Sequence, residues 1–252
     1  MNSQDVDVSN DSPLPVQYVN MSNAVVHSAQ GLDLVAKRAI MLALAKTDSV
    51  PAATLARASR EGWKVRMTAQ EYADSFKIDA RSAYDQLQQA RDRFLKRSIR
   101  RMEYDRRGKL IEHHYTWLTG ATYHHGEGWV ELRFSHEVAP FLLGLRREFT
   151  SYQLEQASAL RSVYSWRLME CLESWKNTGL WCVEVDKFGY LMEVPPSLKG
   201  NYGQMKRRVI EPAIKELRDK NGMDIRVKEV KSGRKVLALE FRFEPAAQQS
   251  LF

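Results

Sequence analysis

Four of the six histidines stand in two adjacent pairs, His113-His114 and His124-His125. Closely spaced histidines hold the divalent ion of metal-dependent strand-nicking enzymes, in which a tyrosine supplies the nucleophile. That chemistry needs both imidazoles on one side of a strand, which one intervening residue provides, whereas adjacent residues point to opposite faces. The pairs therefore read as exposed hairpin residues, and Tyr115 and Tyr123 lose a nucleophile's role with them. Cys171, on an apolar helical arc, and Cys182, in an alternating strand, read as buried structural thiols. Two cysteines are too few for a disulfide scaffold or a four-cysteine zinc site. The sequence has no G-x-x-x-x-G-K-[ST] loop, and no G-x-G-x-x-G follows a strand. No catalytic residue, no metal and no cofactor is expected.

The side chains that remain suit a DNA duplex. Between residues 201 and 220 a helical projection puts Tyr202, Met205, Val209, Ile210, Ala213, Ile214 and Leu217 on one half of the cylinder. Asn201, Gln204, Arg207, Arg208, Glu211, Lys215 and Arg218 fall on the other. Arginine reaches guanine O6 and N7 with two donors, and Asn or Gln pairs with adenine N6 and N7, so such residues near a helix start fit the major groove. Lys206 falls toward the apolar arc, with a stem long enough to reach a phosphate. Lys231, Arg234 and Lys235 mark a following turn whose cations would meet phosphates regardless of base sequence. Pro212 removes one backbone hydrogen bond and should bend the helix near Arg208. An earlier helix, 80–97, sets Arg81, Ser82, Gln86 and Arg93 opposite Ala83, Tyr84, Leu87, Ala90, Phe94 and Leu95. Asp85 and Asp92 share the polar face and would repel phosphate, so backbone contacts rather than base reading are expected there. The plain alternative for either patch is a solvated face that keeps its domain soluble.

The charge is concentrated in those two places. Ten basic and four acidic residues lie between Arg81 and Lys109, and twelve basic and five acidic between Ser197 and Lys235, so the two segments exceed the whole chain's +7. An excess of this kind is the electrostatic footprint of a nucleic-acid partner. Residues 1–30 carry Asp5, Asp7 and Asp11 and no Lys or Arg, and residues 1–24 read as a disordered acidic tail. That tail lacks the basic start and apolar stretch of a signal or transit peptide. No apolar run approaches the roughly 20 residues that span a bilayer. No membrane partner is expected, and a reducing cytoplasm fits the cysteine content.

Elements that would position these residues can be read from periodicity and caps. A helix is expected over 31–46, a strand over 63–67, a helix from the Thr68–Glu71 capping box to Phe76, and the 80–97 helix capped by Asp79. Strands follow at 99–104, 110–122 and 129–134, around turns at Arg106-Arg107-Gly108 and Gly126-Glu127-Gly128. The second half repeats the order. A helix over 151–176 closes at Asn177 and Gly179, then come a strand at 181–185, a short helix 187–192 capped by Asp186, and a turn at Pro195-Pro196. The 201–220 helix ends at Gly222, and strands 223–230 and 235–243 form a hairpin with Leu237, Leu239, Phe241 and Phe243 on one face. Helix, strand, two helices across a short turn and a hairpin is the winged-helix order. The expected fold is α+β, with two tandem winged-helix domains at 25–146 and 147–245 between tails 1–24 and 246–252.

Three stretches carry a family likeness. Val130-Glu-Leu-Arg-Phe-Ser-His-Glu-Val-Ala-Pro-Phe-Leu-Leu-Gly-Leu145, with Phe149-Thr-Ser-Tyr-Gln-Leu154, resembles the joint between the winged-helix domains of iteron-binding plasmid replication initiators, the theta-replication Rep proteins. Met205-Lys-Arg-Arg-Val-Ile-Glu-Pro-Ala-Ile-Lys-Glu-Leu217 resembles their second recognition helix, and Ser165-Trp-Arg-Leu-Met-Glu-Cys-Leu172 is similar to the helix after the joint. The resemblance covers about residues 26–244. It implies a non-enzymatic protein that binds direct repeats of double-stranded origin DNA as a monomer and helps melt the adjacent AT-rich stretch. It also implies recruitment of the host initiator and replicative helicase, with chaperones as further partners. As a homodimer such a protein would bind an inverted-repeat operator at its own promoter and repress it. Base reading would fall to the second domain, through Lys206, Arg207 and Arg208, and the dimer interface and extra backbone contacts to the first. The residues themselves leave open a tandem winged-helix transcriptional regulator with no origin role and, further off, a metal-dependent origin nickase.

Overall fold

A computed structural model of the chain describes residues 6–7, 17–47, 50–124, 126–142 and 148–244, apart from the side chains at 6, 7, 52, 55, 59, 61 and 89–94. The chain divides into two compact units, which meet between Ser158 and Ala159.

In the first unit the elements are β1 (Val6–Asp7), β2 (Tyr18–Ser22), α1 (Asn23–Val26), α2 (Leu34–Ala45), α3 (Ala52–Glu61), β3 (Trp63–Thr68), α4 (Ala69–Phe76) and α5 (Ala80–Phe94). They are followed by β4 (Ser98–Tyr104), β5 (Leu110–Thr116), β6 (Leu118–His124), β7 (Trp129–Phe134), α6 (Ala139–Leu142), β8 (Phe149–Gln153) and α7 (Leu154–Ser158). The Asp33 carboxylate opens α2 by accepting from the Ala36 amide at 3.0 Å, and every residue from Ala36 to Ala45 is buried. A helix covered all round runs through a core rather than over it. Its Lys37 is accommodated there by donating to Gln30 Oε1 at 2.5 Å. The capping box forms as the spacing predicts: Thr68 Oγ1 accepts from the Glu71 amide, and Glu71 Oε2 accepts from the Thr68 amide. Strand β3 turns Trp63, Val65 and Met67 inward and pairs with β1 and β7, giving a sheet ordered β1-β3-β7-β6. Trp63 stacks on Phe134 with ring centroids 4.0 Å apart. Burying rings of this size contributes about 1.5–3 kcal/mol each.

Several expectations are corrected here. Tyr18–Ser22 and Asn23–Val26 are not tail, because Val19, Met21, Val25 and Val26 are buried and β2 pairs antiparallel with β8. The rest of the expected acidic tail, 1–5 and 8–16, and the C-terminal tail from 245 lie outside the described residues. Thr150 and Tyr152 alternate inward, so 149–153 follows a strand period and the helix expected from 151 does not start there. The same pairing keeps the chain in the first unit as far as Ser158, rather than ending it at 146. The strand expected over 110–122 is two. Trp117 separates them, fully buried, with its Nε1 donating to the Gln30 carbonyl at 2.7 Å. Strand β5 then pairs with β4 as a separate two-stranded sheet, inserted between α5 and the wing strands β6 and β7. Gly31 sits against this hairpin at φ +66, where a Cβ would stand 2.7 Å from the Ser98 carbonyl oxygen. Helix α5 stops at Phe94 and leaves Leu95 exposed rather than inward.

The second unit contains α8 (Val163–Glu173), β9 (Leu180–Glu184), α9 (Val185–Leu191), α10 (Pro196–Lys199), α11 (Tyr202–Met205), a π turn (Lys206–Ile210), α12 (Glu211–Asn221), β10 (Ile225–Ser232) and β11 (Lys235–Phe243). The sheet order is β10-β11-β9, antiparallel throughout. Helix α8 restarts at Ser162, whose Oγ accepts from the Tyr164 amide. The amides of Arg161 and Ser162 donate to the Glu216 carboxylate at 2.7 and 3.3 Å, which satisfies groups that a helix start leaves orphaned. Within α8 the buried Arg167 and Glu170 pair at 2.7 Å. Phe241 stacks on both Trp181 and Phe188, with the Trp181 and Phe241 centroids 5.3 Å apart. Asp186 lies in the first turn of α9 instead of capping it, and Glu184 precedes that helix. Gly233, at φ +58, and Arg234 form the wing turn, since Ser232 already pairs with Lys235. A register shift at Val230/Lys231 puts Leu237 in solvent while Leu239, Phe241 and Phe243 stay buried. Cys171 is buried as expected, but Cys182 is exposed, because β9 turns Trp181 and Val183 inward.

Candidate nucleic-acid interface

Asn201 caps the helical run α11 to α12: its Oδ1 accepts from the Gln204 amide at 3.0 Å. Met205, Val209, Ile210, Ala213, Ile214 and Leu217 are buried, which turns Arg207 and Arg208 outward as exposed residues. Arg207 donates to Gln204 Oε1 at 3.0 Å, so the two side chains stand side by side on the outer face. Lys215, about two turns further on, is exposed and pairs with Asp219.

The bend expected from Pro212 takes the form of a π turn. Pro212 has no amide to offer the Arg208 carbonyl, and the Glu211 amide reaches back five residues to the Lys206 carbonyl. The wider turn spans Arg207 and Arg208, and bulges of this kind recur at functional sites.

The wing lies against the same end of the helix. Arg234 and Lys235 are exposed at its turn and, with Lys199, line a cleft that also takes in Gly200 and Gly203. Lys206 and Lys231 are placed differently from Arg207. Both ammonium groups meet the Glu229 carboxylate, Lys206 at 2.8 Å and Lys231 at 2.9 Å, and the Tyr202 hydroxyl donates to it at 2.9 Å. Three donors on one carboxylate, led by Lys206, bring its pKa from 4.5 to about 2. The same hydrogen bond raises the Lys206 pKa, and burial followed by Glu229 raises that of Tyr202. Glu229 went unmarked in the sequence reading, and Tyr202 was read as apolar packing. A polar side chain on the inward face of the wing strand, in line with Ile225 and Val227, was the available signal.

The first unit brings its predicted residues together less fully. Arg81 is exposed, whereas Ser82 is half-buried and its amide caps onto Asp79 Oδ1 at 2.8 Å. Gln86 accepts from the Tyr72 hydroxyl at 3.2 Å, which gives it a packing role, and Asp85 is exposed beside them. The Arg93 side chain and His125 lie outside the described residues. Arg66, on β3, lies over the ring of Trp129 on the wing strand β7 at 4.2 Å, a cation missed from sequence. His113 meets Glu103 at 2.9 Å and His114 meets Glu112 at 3.1 Å. Among the described residues no three His, Cys, Asp or Glu side chains gather to hold a metal, and no helix is long and apolar enough to cross a membrane.

Helix, strand, helix pair and two-stranded wing, present in both units, define a tandem winged-helix protein. Residues 18–173 match the family described as initiator replication protein, WH1, and residues 184–243 match its companion, initiator Rep protein, WH2. The chain belongs to this family of replication initiator proteins. An Escherichia coli protein known as an uncharacterized 27.6 kDa protein is 26% identical over 207 residues, which cover 80% of this chain and 85% of that one. An Escherichia coli replication initiation protein is 27% identical over 208 residues, covering 79% of this chain and 61% of its own length. The crystal structure of Pi initiator protein in complex with iteron DNA superposes with a TM-score of 0.70 over 90% of this chain and 96% of that one, at 20% identity, a likeness of fold.

Proposed function

We propose that this chain is a plasmid replication initiator that binds double-stranded DNA at origin direct repeats as a monomer, promotes opening of the adjacent AT-rich DNA and recruits the host initiator and replicative helicase. As a dimer it represses its own promoter through an inverted repeat. The observation that carries this reading is the outward row of Gln204, Arg207 and Arg208 beside the wing cations Arg234 and Lys235. Arginine and glutamine offer paired donors and acceptors to base edges, and the wing supplies phosphate contacts that hold the register. Membership of the initiator family, and the Pi protein's complex with iteron DNA, support assigning those bases to origin repeats. The first unit then contributes backbone contacts through Arg81 and the dimer interface. No step calls for a metal, a cofactor or a covalent intermediate, and the protein acts in the cytoplasm on plasmid DNA.

A gel-shift titration on the DNA upstream of the coding region, at moderate salt with random competitor, tests this. A ladder of complexes on direct repeats is expected. Equal affinity for repeats and random duplex would refute the reading, and protection confined to a promoter operator would point instead to a regulator without an origin role.

A further inference from the structure

The Glu229 carboxylate lies where the recognition helix meets the wing, the strip along which a winged helix meets the DNA backbone. It is 18% exposed, while its partners Lys206 and Lys231 are 40% and 52% exposed. Strand β10 pairs Glu229 with the buried Leu239 and directs Ile225, Val227 and Glu229 to the helix side of the sheet. There the carboxylate takes one lysine from the helix, one from the wing, and the Tyr202 hydroxyl from the first turn. The two non-bridging oxygens of a DNA phosphate offer two lysines the same kind of paired anionic acceptor that the two carboxylate oxygens already supply. Arg207 and Arg208, by contrast, face outward away from it.

We propose that Glu229 is a specificity-determining residue that acts as a built-in counter-anion, withholding Lys206 and Lys231 from DNA phosphates and so suppressing sequence-independent binding. The inference rests on the proposed reading of DNA by this helix. On random sequence a protein draws almost wholly on phosphate contacts, each of which releases a counterion. Two lysines engaged by one carboxylate present one net charge to the backbone instead of two. On the correct site the base contacts of Gln204, Arg207 and Arg208 add a term that Glu229 does not touch. Those base contacts also fix the register of the helix on its site, so that Lys206 and Lys231 stay with Glu229 there, whereas on random sequence nothing fixes the register and freed lysines would settle on phosphates. The carboxylate therefore costs the random complex more free energy than the specific one, which is discrimination by an unfavourable element.

The test compares wild type with Glu229→Gln, which keeps the shape and the acceptor oxygen but loses the charge, on the repeat duplex and on a random duplex across a salt series. The full chain is used. Glu229→Gln is expected to bind random duplex about threefold to tenfold tighter, with a salt slope steeper by roughly one unit, and to show a smaller ratio of specific to random affinity. Unchanged or weaker random binding, or a parallel rise on both duplexes that leaves the ratio intact, overturns the inference. If Glu229→Gln does not fold, Glu229→Thr removes the same charge with a residue suited to a strand and is held to the same outcomes. Wild-type protein that does not distinguish the repeats from random duplex overturns the proposed function, and this inference with it. Wild-type discrimination that the variant leaves unaltered overturns the inference alone.

Discussion

Sequence selectivity in the proposed reading rests chiefly on Arg207, whose guanidinium is exposed and hydrogen-bonded to Gln204. Arg207→Ala should cost about 1–3 kcal/mol on the repeat and relax preference at one base position. Competition gel shifts against single-base variants of the repeat would show this, and an equal loss on random duplex would assign the residue to the backbone instead. Glu229 makes a different prediction, one about acid. Its folded pKa, about 2, lies below the ordinary 4.5, so the stability it contributes is complete above about 4.5 and is lost as pH falls toward 2. Acid unfolding followed by circular dichroism should be less steep in that window for Glu229→Gln than for wild type. The outward setting of Arg207 and Arg208 was legible in the sequence, since a 3.6-residue period fixes it whenever the other face is apolar. Glu229 was not, because its partners Tyr202 and Lys206 stand 27 and 23 residues away and a carboxylate in a basic segment reads as one charge subtracted. Gln86 failed likewise: its exposed-face position in the projection does not reveal that the Tyr72 hydroxyl has claimed it.

Elements marked by local chemistry were the ones the sequence specified. The Thr68–Glu71 box does so twice, by closing both backbone donors and by putting Glu71 where Lys46 reaches it at 2.6 Å. Thr68→Ala should destabilise the protein by about 1 kcal/mol, measured by urea denaturation with an unchanged slope. Gly222, in the left-handed region at φ +66, stops α12 where the sequence places it. Elements set by distant partners were misread. Phe149–Gln153 runs into a strongly helical pattern in the sequence, and is a strand because β2 is there to pair with it. The single strand expected over 110–122 breaks because burying the Trp117 indole satisfies its N–H, which no local period announces. The π turn lies between these cases. Pro212 announced a disturbance, but its form follows from packing: Met205, Val209, Ala213 and Leu217 recur every four residues, a spacing that drifts by about 40° per step around a regular helix. A wider turn takes back part of that drift and keeps the row facing the core.

At the scale of the molecule, winged-helix order in both halves was readable because it depends on the sequence of elements and not on their ends. The position of the boundary was not, since one strand pairing decides it. Both units present cations to solvent, yet their outer faces differ, with Asp85 beside Arg81 in one and Arg207 beside Arg208 in the other. Arg234→Ala at the second wing should weaken specific and random duplexes alike and flatten the salt slope by roughly one unit. Fluorescence anisotropy across a salt series reads both effects, and an unchanged slope would take the wing out of the interface. The Glu229 arrangement also bears on inheritance. A bacterial chromosome offers on the order of a million or more competing sites, so even a severalfold gain in indifferent binding would spread the molecules over host DNA and thin their occupancy of the origin. One carboxylate would thereby influence how many copies of the replicon a dividing cell passes on.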